Sequence, residues 1–144
     1  MDKGQLAIQN FKLGLNCCQA VALAFKEELG LDEQTIKKIS IAFGGGLGRQ
    51  RLTCGAVSGM CMVLGAKLSD GIDKLSIYKI VQDACAEFKE KVGSIICAEL
   101  LDENSAINTL PQPEERTEKY YAKRPCADLC KIAAEITQKY LENK

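Results

Sequence analysis

Apolar residues along this chain recur every three or four positions rather than every second one. Leu75, Tyr78, Val81, Cys85, Phe88 and Val92 form the clearest run, and that spacing places them on one stripe of an α-helix. No sustained two-residue alternation appears. The pattern therefore predicts an all-α fold, a single-domain bundle of about six to seven helices with a glycine-rich loop.

Start and stop signals divide the stripe. A first helix is expected over about 2–13, stopping at Gly14, and a second after Asn16, ending before Gly30. Asp32 caps a third that runs to about Phe43. The run Gly44-Gly45-Gly46-Leu47-Gly48 reads as a loop, with Thr53 the cap of a helix from Cys54 to about Leu68. A long helix over about 73–91 ends at Gly93, and Ser94, Cys97 and Glu99 open a short one to Leu101. Residues 102–125 are polar and hold Pro111, Pro113 and Pro125; one short helix is expected there over about 114–121, in a segment suited to act as a lid. The last helix begins at about Pro125 and Cys126 and runs to about Glu142.

Composition narrows the chemistry. The 19 Lys plus Arg balance 19 Asp plus Glu, so bulk charge supplies no reason to expect nucleic acid or an anionic membrane surface as partner. The absence of His removes Ser-His-Asp and Cys-His catalysis, His-ligated zinc and c-type haem attachment. The first 14 residues lack the continuous apolar core of a secretory signal, and the most apolar stretch, Gly55 to Ala66, is about half of the roughly 20 residues a membrane helix needs. A cytoplasmic location with no membrane span is the expectation.

Eight cysteines remain to be sorted. No two stand at Cys-x-x-Cys spacing, which argues against a thioredoxin-type dithiol, a zinc ribbon and the bacterial ferredoxin run. Any site must be assembled from distant segments. On the expected helices, Cys17, Cys54, Cys97 and Cys126 all fall in first turns, where free backbone N–H groups and the positive dipole end favour a thiolate. Arg49 and Arg51 precede Cys54, and Lys123 and Arg124 precede Cys126, adding positive charge. Cys61 and Cys85 sit at mid-helix apolar positions and read as buried core fillers, less reactive than the first-turn four. Cys18 and Cys130 read as neighbours of the site, either resolving thiols or bystanders.

The glycine-rich run lacks the Lys-Ser/Thr ending of a P-loop and follows a helix where phosphate cradles require a strand. Its expected role is close backbone approach to cysteine sulfurs or to a neighbouring helix. On that reading Gly45, Gly46 and Gly48, with Arg49 and Arg51, form one wall of the site. Gly55 and Gly59 smooth the face of the helix that Cys54 opens, either for tight helix packing or to leave room for a cofactor.

These residues resemble a family of proteins taken to be redox-active and labelled by the cysteine pattern C_GCAxxG_C_C. The resemblance rests on Asn16-Cys17-Cys18-Gln19-Ala20-Val21, on Phe43 to Gly48 followed by Cys54-Gly55-Ala56-Val57-Ser58-Gly59, on Gly93 to Leu100 around Cys97, and on Cys126. It implies that Cys17, Cys54, Cys97 and Cys126 are the pattern's four cysteines and act together, with Cys61, Cys85 and Cys130 outside it. A related domain occurs in split-Soret-type cytochromes beside haem segments and an iron–sulfur centre; the haem part cannot apply to a chain without His.

Two redox readings stand together at this point. In one, the four cysteines ligate an iron–sulfur cluster, with Gly45, Gly46, Gly48 and Gly55 around it, for electron transfer or sensing. In the other there is no cofactor, and the same cysteines exchange thiols and disulfides with a redox partner protein or a small thiol. A structural four-thiolate zinc site and a plain helical scaffold are the non-redox alternatives. Whether the chain is an enzyme, and whether it forms a homodimer, stays open.

Overall fold

In the computed structural model, which describes residues 2–143, six helices begin where a short polar side chain satisfies one of the first free N–H groups. Asp2, Asn16, Asp32, Asp73, Asp102 and Thr117 each accept a hydrogen bond from a backbone N–H three residues on, as N-caps do. The helices are α1 (Lys3–Lys12), α2 (Cys17–Ala24), α3 (Lys26–Leu29), α4 (Glu33–Ser40), α5 (Gly55–Leu68), α6 (Lys74–Val92), α7 (Cys97–Leu100), α8 (Glu103–Ala106), α9 (Glu118–Lys123) and α10 (Cys126–Glu142). Among the described residues there is no named strand, only an isolated antiparallel bridge between Thr53 and Ile96. The all-α class follows from the three- and four-residue spacing.

Several boundaries differ from the sequence expectation. The helix expected from Asn16 to Gly30 breaks at Phe25, whose buried ring anchors the junction of α2 and α3. Thr53 is not a cap: it pairs with Ile96, and Cys54 itself takes the cap position of α5. The short helix expected over 114–121 lies at Glu118–Lys123, set by the Thr117 cap, and α8 was not anticipated. Gly44 to Leu47 makes one turn with helical hydrogen bonding, yet Gly45 and Gly46 have φ of 66° and 73°, so it propagates no helix.

Helix α2 is central. It packs against α1, α5 and α10, while α10 lies along α1 and α5. Phe11, Phe25, Val21, Met60, Leu64, Phe88 and Ile136 fill the space between them, each contributing about 1.5–3 kcal/mol of burial. Close approach of α5 to α2 requires glycine. A Cβ on Gly59 would stand 2.9 Å from Cys18 O, and one on Gly55 3.2 Å from Cys17 Cβ. Tight packing is thus the role of these two glycines, and it sets the N-termini of α2 and α5 side by side.

Candidate functional site

The N-termini of α2, α5, α7 and α10 open onto one cavity of about 520 Å³. Cys17, Cys54, Cys97 and Cys126 all line it, as do Gly45, Gly46, Gly48 and Gly55.

Local interactions place each cysteine. Asn16 and Gln19 form a reciprocal cap at the start of α2, and the Asn16 amide donates to Ile41 O at 2.9 Å. That amide occupies the space a Cβ on Gly44 would need, 2.3 Å away. Cys54 is held by its N–H donating to Ile95 O at 2.8 Å, and Cys97 by its N–H donating to Leu52 O at 2.6 Å. These bonds flank the Thr53–Ile96 bridge, so two distant segments present their cysteines to the same space. Cys126 opens α10 directly after Pro125, whose fixed φ suits a helix start.

The glycine run forms the adjacent wall. Arg51 N–H donates to Gly45 O and Leu52 N–H to Gly46 O, folding the run back on itself. Leu47, Arg49 and Arg51 all have left-handed φ, between 62° and 67°, a conformation that costs a non-glycine residue about 1 kcal/mol or more. It carries the two guanidinium groups to the cavity. Arg51 Nη1 lies 3.8 Å from Cys97 Sγ. Lys123, grouped with Arg124 from sequence, instead faces Asp102 at 3.7 Å and does not line the cavity.

Sequence reading missed Glu114, Arg116 and Tyr120, which line the cavity from the proline-rich segment. Arg116 donates to Phe11 O and Leu15 O and lies over the rings of Phe11 and Tyr120, clamping that segment to the end of α1. Arg124 pairs with Glu114. Tyr-Tyr beside Arg was the available signal, in a stretch whose prolines suggested only irregularity.

The thiols are less acidic than their helix positions imply. Cys54 accepts N–H bonds from Ala56 and Val57, but burial outweighs them and pushes it up to about 12. Cys97 is raised by burial against the opposing pull of Arg51. Cys17 is raised, the pull of the neighbouring Cys126 thiol being outweighed by Cys130 and by burial; the Cys130 thiol donates to Cys17 O at 3.8 Å. Cys126 is raised by the Cys17 contact and by burial. Cys130, buried one turn along α10, is therefore in direct contact with the site. Cys18 faces away, its Sγ 3.6 Å from Met62 Sδ.

Cys61 and Cys85 are not buried core fillers. Both are only partly buried, on α5 and α6 at the edge of the core, with their thiols close enough to shift each other's acidity. The Cys61 contact lowers Cys85 to about 7 against the effect of burial. The expected order of acidity fails at Cys85 alone, which is lowered, whereas Cys61 is raised by the same contact and by burial.

Residues 15–140 match the protein family described as "Putative redox-active protein (C_GCAxxG_C_C)". The chain belongs to this family. Membership gives the redox-active, cysteine-rich description but no reaction. No curated protein and no solved structure matches the chain. Among the described residues no helix is long and apolar enough to cross a membrane, and no three Cys, Asp or Glu side chains are grouped to hold a single metal ion.

Proposed function

We propose that Cys17, Cys54, Cys97 and Cys126 form one redox centre that holds an iron–sulfur cluster, making this family member an electron carrier or redox sensor. The observation that carries the reading is the meeting of four cysteines from four helix starts on one cavity that also holds buried guanidinium groups.

Four thiolates with no other ligand type are a donor set that suits an iron–sulfur cluster. A two-iron cluster takes its four thiolates two to each iron. Cys17, Cys54, Cys97 and Cys126, which line one cavity, would be those four. When bound, such a group supplies reversible one-electron transfer. The chain's part is to provide four thiolates, to compensate their charge with Arg51 and Arg124, and to exclude water. Because the empty-site thiols are protonated, loading releases protons and is favoured as pH rises.

A second reading is favoured by the nearness of the Cys17 and Cys126 thiols, each of which shifts the acidity of the other. Both thiols would be oxidised to a disulfide, losing two electrons and two protons to a low-molecular-weight disulfide that is reduced to two thiols. Anaerobic reconstitution with iron and sulfide separates the two. Visible absorbance with iron and sulfide in equal amounts, lost in Cys54→Ser and Cys97→Ser, supports the cluster. Colourless protein that forms a Cys17–Cys126 disulfide with oxidised glutathione supports the dithiol. Neither result would refute a redox role for the cavity.

A further inference from the structure

The guanidinium end of the cavity is short of hydrogen-bond acceptors. Arg49, Arg51 and Arg124 all line it, and Arg49 Nη2, Arg51 Nη2 and Arg124 Nε are buried nitrogens without a partner among the described residues. Arg51 and Arg124 are only 5% and 8% exposed. Buried polar groups are almost always satisfied, and a guanidinium cannot shed its charge to escape the cost.

Their other contacts are accounted for. Arg51 Nε donates to Asn108 O at 3.1 Å, and Arg49 Nη1 to Leu110 O at 2.7 Å and to Gln112 O. The three groups crowd one another: burial and the charges of Arg51 and Arg124 disfavour the Arg49 cation. Glu114 is the one carboxylate among the lining residues, against Arg49, Arg51, Arg116 and Arg124, and it is already paired with Arg124. Left-handed backbone at both Arg49 and Arg51 holds this arrangement at a conformational cost.

We propose that Arg49, Arg51 and Arg124 form a binding site for a small oxyanion, the recognition element of a small-molecule substrate or effector held beside Cys97 and Cys126. This deepens the redox reading by naming the ligand class of the same cavity, and it rests on that reading only for the word substrate. Guanidinium N–H groups fit the oxygens of a carboxylate, phosphate or sulfur oxyanion. The cavity volume of about 520 Å³ falls within the range that small molecules occupy, about 300–1,000 Å³, with apolar walls at Leu100, Leu101, Pro111 and Pro113.

The test is calorimetric titration of the full chain, reduced and metal-free, with sulfate and separately with malonate at constant ionic strength made up with chloride. One saturable site is expected, weakened at least tenfold in Arg51→Gln and in Arg49→Gln and unchanged in the surface variant Lys139→Gln. Two arginine variants are used because a buried substitution can unfold the chain; circular dichroism identifies which remain folded, and half-exposed Arg49 guards against losing both. Sulfate binding alone points to a free inorganic oxyanion, and malonate binding alone to an organic carboxylate; either supports the site. Absence of saturable binding, or binding indifferent to the folded arginine variant, overturns it. The redox reading fails separately: arginine-dependent anion binding by a chain that neither takes up iron and sulfide nor forms a disulfide would keep the site and remove the redox centre, and the converse would do the opposite.

Discussion

Cys17 with Cys126 and Cys61 with Cys85 are both pairs of neighbouring thiols, yet they differ in acidity. At the cavity both partners are buried and both are raised. Between α5 and α6 both are only partly buried; Cys85 is lowered to about 7, while Cys61 is raised by the same contact and by burial. The contact is the same in kind; access to water differs. A thiolate at Cys85 keeps a hydration shell and a donor, whereas one at the cavity must be stabilised by the protein alone. The position of a cysteine at a helix start therefore says where it points, while burial decides whether it ionises unaided. A cavity of reluctant thiols next to unpartnered guanidinium groups suits a ligand that brings its own charge.

The largest break in this comparison should come from Gly46→Val. A Cβ there would lie 2.6 Å from Leu52 N and 2.8 Å from Cys97 Cβ, on a backbone with φ of 73°, so both the wall and the Cys97 segment must move. We expect a loss of about 3 kcal/mol or more, read as a fall in the thermal midpoint of roughly 10 °C. Gly65→Ala, where a Cβ meets nothing within 4 Å, should leave the midpoint unchanged or slightly higher, since it adds helix propensity. Equal midpoints for the two variants would mean that the glycine run is not packed against Cys97.

Much of the site was legible because it sits at helix starts. Asn16 before Cys17 and Pro125 before Cys126 are local signals, and the four-residue spacing fixed the helices that carry them. The Thr53–Ile96 bridge was not legible: two short segments 43 residues apart pair there, and neither has a strand's alternation. Nor was the place of Arg116, whose partners are backbone carbonyls of α1 and its following turn. Cys61 and Cys85 misled because mid-helix apolar spacing marks the inward side of a helix without saying how fully a neighbour covers it; α5 and α6 meet along only part of their length.

Alkylation should show the next largest effect. At pH 7.5 Cys85 is mostly thiolate, while a thiol near 12, such as Cys54, is ionised to a few parts in 100,000. The greater intrinsic nucleophilicity of the less acidic thiol recovers part of this, leaving Cys85 faster by about a hundredfold before burial is counted. Iodoacetamide labelling of metal-free native protein, mapped by mass, measures it. The Cys85 rate should rise with pH through about 7 and level off above it, because only the thiolate attacks. Faster labelling at Cys17, Cys54, Cys97 or Cys126 would reverse the assignment of the two regions.

A smaller shift should follow from removing the donor. Cys61→Ala takes away the contact that lowers Cys85, so the midpoint of its labelling curve should climb from about 7 towards the ordinary free-thiol value of about 8.5. The rate at pH 7 falls severalfold, while the plateau at high pH rises a few-fold, because the less acidic thiol gives the more nucleophilic thiolate. An unmoved midpoint would place the cause of Cys85 acidity elsewhere on α6.

Cys85→Ser should have the smallest effect and is the sharpest check that the two regions are independent. Cys85 does not line the cavity, whose walls come from the starts of α2, α5, α7 and α10, the glycine run and the proline-rich segment. Its helix, α6, packs on α5 and α10 but supplies none of the lining residues. A half-exposed Ser in place of Cys keeps the size and a hydrogen-bonding group, so stability should change by about 1 kcal/mol or less. Iron and sulfide uptake, and the sulfate or malonate affinity of the cavity, should match the parent within twofold. A larger change would show that α6 reaches the cavity through α5, since mutations at sites without shared partners add independently and those in one network do not.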